Sequence, residues 1–178
     1  MASNFQTAPS LRLQPLLELL DRHAVDFIVI GGIAGIVHGS AHPTFDFDVL
    51  YSLDPDNLKR MAAALTELRV TLRGAPADLP FQPDARTLAA GCNFTFDSEF
   101  GSFDILGEAA GMRDYEEMRA DAGQEDLWGV RARVASVEDL IRMKRAAGRP
   151  KDKSMAEELT ALLEDQRRSA KGEKGASS

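Results

Sequence analysis

Apolar residues recur along this chain with two periods, and the points where the period changes mark its elements. Leu13, Leu16, Leu17 and Leu20 stand at helical spacing, so an amphipathic helix is expected up to about His23, packed under a sheet. Phe27-Ile28-Val29-Ile30 is an unbroken apolar run ending at Gly31-Gly32, the pattern of a strand buried on both faces that meets a sharp backbone corner. A short helix from Ile33 to His38 follows, with Gly39 placed to end it. The period then drops to two. In Phe45-Asp46-Phe47-Asp48-Val49-Leu50 the pleat puts both carboxylates on one face and turns Phe45, Phe47 and Val49 the other way, into a core.

Asp54-Pro55 reads as a helix start, continued by the stripe Leu58, Met61, Ala62, Leu65 and Leu68. The proline-bearing stretch from Gly74 to Pro83 shows no period and is expected to be a loop or irregular crossing. Phe94 and Phe96, then Phe103 and Ile105, alternate with polar residues on either side of Gly101 and predict a hairpin that carries a third acid, Asp104. A polar helix is expected over about Arg113 to Ala122. One strand is expected from Leu127 to Val134, with Trp128, Val130, Ala132 and Val134 on one side. Ser136 with Asp139 opens a helix through Ala147 that Gly148 ends. Arg149 to Asp152 reads as a connector, and Ser154 with Glu157 opens a last helix bearing Leu159, Leu162 and Leu163. The expected organisation is a flexible N-terminus over 1–10, a core over 11–135, C-terminal helices over 136–168 packed on it, and a disordered tail over 169–178.

Composition narrows the class. A length of 178 residues predicts one domain, and a net charge of −7 argues against a protein that coats nucleic acid, while leaving room for a local basic patch. Cys92 is the lone cysteine, which leaves no internal disulfide and fits a reducing cytosol. It opens a predicted strand and is read as packing. No apolar run is long enough for a membrane span and no signal-peptide pattern opens the chain, so a cytoplasmic protein with no membrane partner is expected.

The chemistry gathers at the acids. Two carboxylates on one strand face are usually a solvated face, but beside the Gly-Gly corner their repulsion points to a divalent cation with hard oxygen ligands, Mg²⁺ or Mn²⁺, that also holds a phosphate. Asp104, on a strand able to lie beside the first pair, can complete a second metal position or accept a proton from an incoming hydroxyl. Arg142, Lys144, Arg145, Arg149, Lys151 and Lys153 form the one positive region. Lys144, Arg149 and Lys151 either reach a triphosphate or lie on a solvated helix face, and Asp152 can hold one of them in place. His38 is read as a packed or capping residue, and His23 as a helix-end residue.

Several alternatives fail on spacing. A dinucleotide-binding fingerprint needs glycine where Ile30 stands, and no phosphate loop ending in Gly-Lys-Ser or Gly-Lys-Thr is present. A phosphatase with an aspartyl nucleophile lacks its later lysine and acid set. A metal-dependent glycosyltransferase would also use an acid-x-acid pair but needs a longer chain.

The run from Phe27 to Leu50, with Gly31-Gly32, thirteen residues and then Asp46-Phe47-Asp48, resembles the signature of the DNA polymerase β-like nucleotidyltransferase superfamily. Ala34, His38-Gly39, Thr44 and the stretch Val134 to Leu140 leading to Lys144, Arg149, Lys151 and Asp152 are similar to its small bacterial members, many encoded in toxin–antitoxin pairs. The resemblance covers roughly residues 12 to 160. It implies an α/β (α+β) fold, a short mixed sheet with flanking helices, and transfer of NMP from an NTP to a hydroxyl on RNA, protein or a small molecule, with Mg²⁺ or Mn²⁺. Asp46, Asp48 and Asp104 would then be the catalytic and metal-holding acids. Gly31, Gly32, His42, Thr44, Lys144, Arg149 and Lys151 would serve the nucleotide, and tRNA, a protein acceptor or a cognate toxin or antitoxin would be partners. The chain departs from the pattern twice, with Gly32 where many members have Ser and His42 where close relatives often have Arg. His42 can also be read as a plain loop residue. A catalytically silent member that binds a partner protein is the alternative reading.

Overall fold

In the computed structural model, which describes residues 10–76, 81–91 and 93–175, the strands form a mixed sheet flanked by helices. Helix α1 (Leu13–Arg22) buries Leu13, Leu16, Leu17, Leu19 and Leu20, as its leucine spacing requires. Strand β1 (Phe27–Val29) is buried along its whole length. Helix α2 (Gly31–Val37) starts on the glycine pair itself, two residues earlier than the pattern indicated. Strand β2 (Asp46–Tyr51) carries the acids and is followed by α3 (Pro55–Leu68), which Asp54 caps by accepting from the backbone N–H of Asp56 and Asn57.

Strand β3 (Thr71–Leu72) comes next, then α4 (Ala85–Gly91), β4 (Asn93–Ser98), β5 (Gly101–Leu106), α5 (Tyr115–Asp121), β6 (Gly123–Leu127), β7 (Val130–Val134), α6 (Val137–Ala147) and α7 (Pro150–Gly175). Among the described residues the strands form one sheet in the order β3-β4-β5-β2-β1-β7-β6. β1 runs antiparallel to β2 and parallel to β7, while β2 runs parallel to β5. The β4–β5 hairpin forms as predicted, but it turns at Glu99 and Phe100, and Gly101 is the first residue of β5, paired with Ser98. One apolar cluster joins α1, the sheet and α3 to Leu140, Ile141 and Met143 of α6 and Met155 and Leu159 of α7. No helix among the described residues is long and apolar enough to cross a membrane.

Four expectations change. Phe45 is 78% exposed, because β2 starts at Asp46 and the pleat does not extend back to it; Phe47 and Val49 are fully buried as expected. The segment from Leu127 to Val134 is not one strand. Trp128 (φ 54°) and Gly129 (φ 84°) form the tight turn of a β6–β7 hairpin, where positive φ at both central residues matches strand twist, so Trp128 projects outward at 58% exposure. Helix α7 begins at Pro150 rather than Ser154, since proline is well suited to a first turn whose N–H has no partner, and Arg149 to Asp152 is therefore helix entry rather than connector. The same helix continues to Gly175, where a disordered tail from residue 169 was expected. The N-terminal stretch before Ser10, part of the expected loop between Gly74 and Pro83, and Cys92 lie outside the described residues.

Asn57 fixes the strand ends that frame the acids. Fully buried, it accepts from Asp26 N–H at 2.7 Å and donates to the carbonyls of Asp26 and Ser52, both at 2.9 Å, tying α3 to the start of β1 and the end of β2. Asn57→Ala removes the partner of the Asp26 N–H and of the buried Ser52 carbonyl, each costing on the order of 1–3 kcal/mol, while the Asp26 carbonyl keeps the Ser52 N–H. Chemical denaturation should show a loss of at least that size for the variant; an unchanged midpoint would contradict the assignment.

Candidate active site

The acids meet because of strand register. β2 and β5 are parallel neighbours with Asp48 directly opposite Asp104, and Asp46 opposite Ser102. Side chains two apart on β2 share a face, so all three carboxylates lie on the same side of the sheet. Gly31 stands at that face with φ +64°, and a Cβ built there would lie 2.1 Å from Asp48 Oδ2. Only glycine serves both the backbone turn and the carboxylate above it. A Cβ on Gly32 would lie 2.3 Å from Thr44 Oγ1. The Thr44 hydroxyl, which donates to the Asp46 carbonyl at 3.2 Å, thus occupies the space that a serine side chain at residue 32 would need.

This crowding has an electrostatic consequence. Asp48 is pushed up to about 6, first by burial and then by repulsion from Asp104 and Asp46, with Lys144 and Arg73 working in the opposite direction. Burial raises Asp104 as well, although Arg73 pulls against it. Two partly buried acids whose charge is unfavourable in the bare protein suit a cation.

Arg73 escaped the sequence reading. It follows a two-residue strand, too short to show a period, just ahead of the segment read as loop. Its Nη2 donates to Asp104 Oδ1 at 2.6 Å and to the Phe96 carbonyl at 3.0 Å, and its Nε to Asp97 Oδ1 at 3.2 Å. Among the described residues no three His, Cys, Asp or Glu side chains are grouped as a metal cluster. The donor set fits a divalent ion through Asp46 and Asp48, whose oxygens face the cleft, while Asp104 is engaged by Arg73.

Above the acids lies a cleft of about 510 Å³ lined by Gly32, His42, Thr44, Asp46, Asp48, Asp104, Lys144, Arg149 and Lys151. Gly31 lines a smaller adjoining cavity of about 230 Å³, which Asp48, Lys144 and Arg149 also border. The acid pair, the third acid, the glycine corner and three of the cations singled out in the sequence are therefore neighbours in space. The other cations of that cluster go elsewhere. Arg142 binds the buried Asp139, and Arg145 donates to Thr160 at 3.1 Å.

Two acids on α7 brace the cleft, one on its cationic side and one on the loop opposite. Asp152, almost fully buried, accepts from Lys144 Nζ at 3.1 Å and Arg149 Nε at 2.5 Å. Burial alone would raise it, but these two hydrogen bonds outweigh that and hold it below the usual carboxylate range. Glu158 accepts from the backbone N–H of Ala41 at 2.9 Å, the Ser40 hydroxyl at 2.6 Å and His42 Nδ1 at 2.7 Å, and is lowered to about 2 by those bonds in that order. It pins the loop that carries His42 and Thr44. Its position 116 residues beyond His42 hid it from spacing arguments. His38 bonds the Ala135 carbonyl at 2.8 Å and packs, as read from the sequence; His23 pairs with Glu67 at the end of α1.

The Asp48 shift carries a sign. A carboxyl raised from 3.8 to about 6 makes the protein without a cation less stable as pH rises through that window, because ionisation is easier in the unfolded chain. Asp48→Asn should raise the melting temperature above about pH 6, by an amount corresponding to on the order of 1–3 kcal/mol, with the gain shrinking toward pH 4. A variant no more stable than wild type at neutral pH in the presence of a chelator would show that the acids do not repel.

No protein-family model matches the sequence, and no match is found among curated proteins. Solved structures do match in shape. The lincosamide antibiotic adenylyltransferase LnuA, in its lincomycin-bound crystal structure, superposes with a TM-score of 0.56 at 10% identity over 86% of this chain and 99% of its own. The antibiotic-resistance factor ANT(2'')-Ia gives 0.51 at 14% identity over 92% and 94%. A candidate nucleotidyltransferase from Thermotoga maritima gives 0.51 at 13% identity over 88% and 97%. Likeness at such identities establishes architecture, and the chain accordingly has the nucleotidyltransferase fold, a mixed sheet with flanking helices and a helical C-terminal extension.

Proposed function

We propose that this protein is a metal-dependent nucleotidyltransferase that moves NMP from an NTP to a hydroxyl acceptor. The observation that carries the reading is the parallel register of β2 and β5, which sets Asp48 opposite Asp104 on the face where Lys144, Arg149 and Lys151 line the same cleft. A triphosphate needs cations on one side and a carboxylate-held metal on the other, and this cleft offers both.

Asp46 and Asp48 would hold Mg²⁺ or Mn²⁺, which supplies charge neutralisation on the phosphates. Lys144, Arg149 and Lys151 grip the outer phosphates, with Asp152 fixing two of them. Gly31 and Gly32 let Asp48 and Thr44 close in on the corner where the phosphates would lie, Thr44 offers its hydroxyl there, and His42 lines the same cleft. The acceptor oxygen forms a bond to the α-phosphorus as the bond from that phosphorus to pyrophosphate breaks. The electron pair leaves with pyrophosphate, and the acceptor proton passes to Asp104 directly or through water. A small-molecule hydroxyl is the favoured acceptor, since a net charge of −7 weighs against a polyanion. The neighbour LnuA, an adenylyltransferase bound to lincomycin, is in keeping with that class. The setting would be the cytoplasm.

One observation favours a second reading, a catalytically silent protein that acts as an antitoxin or regulatory partner: Arg73 engages the acid assigned as proton acceptor. The two are separated by incubating the chain with labelled NTP, Mg²⁺ and separate pools of hydroxyl-bearing small molecules, tRNA and protein. Transfer of label to the small-molecule pool is expected, abolished by Asp46→Asn or Asp48→Asn and slowed about 10²- to 10⁴-fold by Asp104→Asn. No transfer to any pool, with a defined partner protein bound stoichiometrically, would establish the silent reading instead.

A further inference from the structure

Nucleotidyl transfer sites of the two-metal kind need a carboxylate with free lone pairs on each side of the reacting phosphorus, the ions standing about 3.5–4 Å apart. On the β5 side of this cleft both oxygens of the carboxylate already face a guanidinium. Arg73 faces Asp104 fork to fork, with Nη2 at 2.6 Å from Oδ1 and Nη1 at 3.4 Å from Oδ2. The fork is itself held in place. The same Nη2 reaches the Phe96 carbonyl at 3.0 Å, Nε reaches Asp97 Oδ1 at 3.2 Å, and the backbone N–H of Arg73 bonds the Thr95 carbonyl at 2.9 Å. Asp97 is steadied in turn by the Ser102 hydroxyl at 3.1 Å, from the residue opposite Asp46. The Asp104 side chain is only 16% exposed and that of Arg73 31%, so water screens the pair weakly. A guanidinium does not lose its proton at any accessible pH, and its planar fork matches a carboxylate. Among the described residues no side-chain hydrogen bond or ion pair engages the carboxylates of Asp46 or Asp48.

From this arrangement we infer that Arg73 is a built-in substitute for a second divalent cation at Asp104, so that the cleft binds one ion, at Asp46 and Asp48. The inference deepens the proposed reaction and rests on it for the identity of the ion. Arg73 is a positioning residue: it orients Asp104 and supplies a fixed positive charge where a dication would otherwise stand. A second dication would have to displace a three-point anchor and approach a like charge.

Titration of the full chain with Mn²⁺ alone, at neutral pH and followed by the electron paramagnetic resonance signal of free Mn²⁺, reads the ion count directly. Wild type should take up one ion per chain. Arg73→Ala should take up two, and adding Asp104→Asn to that variant should restore one. Arg73→Gln, which keeps a donor for the Phe96 carbonyl, guards against misfolding of the alanine variant and should also take up two; circular dichroism verifies the fold of each. Two ions in wild type, or one ion in wild type and in both folded Arg73 variants, overturns the inference while NMP transfer by wild type leaves the proposed reaction standing. No ion in any form together with no transfer overturns both.

Discussion

Repulsion among carboxylates on one strand face is the constraint around which this molecule is arranged. Asp46 and Asp48 share a face by the period of the pleat, and the parallel register brings Asp104 alongside. No fold accumulates such charge for stability, and Asp48 is raised to about 6, by burial first and then by Asp104 and Asp46. Much of the surrounding structure either tolerates or offsets that charge. Gly31 yields the space that the Asp48 carboxylate fills, Arg73 lies against Asp104, and Lys144 approaches from α6.

The cationic wall needs its own support, because lysines and arginines on helix ends are ordinarily spread through solvent. Asp152 is placed in the first turn of α7, almost fully buried, and binds Lys144 from one helix and Arg149 from the turn between the two. Glu158, about one and a half turns further along, anchors the loop between α2 and β2 through three hydrogen bonds. Helix α7 thereby organises both the cations and the loop opposite them, while Met155 and Leu159 hold it in the core. The result is a cleft whose acids are crowded and whose cations are restrained, the preorganisation that phosphate chemistry in water requires.

Much of this was legible in the sequence, for identifiable reasons. The leucine spacing of α1, the Asp54-Pro55 start of α3, the phenylalanine alternation of β4 and β5, and the Ser136 cap of α6 are local signals, and each appears where expected. So does the shared face of Asp46 and Asp48, because a strand carries its period within itself. What depended on distant partners was hidden. Strand β6 is nearly all exposed and polar, Gly-Gln-Glu-Asp-Leu, so no alternation announced it, and without it Trp128 read as a strand residue rather than a turn. Arg73 and Glu158 do their work 31 and 116 residues from the groups they hold, a separation no periodicity encodes. The resemblance in the Gly-Gly and acid-x-acid run pointed to the architecture that the solved structures share, whereas the acceptor leaves no comparable mark on the chain.

The central claim is that Asp46 and Asp48 exist to hold a divalent cation against a nucleotide. Calorimetric binding of nonhydrolysable analogues of the common NTPs, with Mg²⁺ present and with chelator in its place, tests it most directly. The account predicts binding that requires Mg²⁺ and is lost with it; affinity that is the same with and without the ion would contradict it.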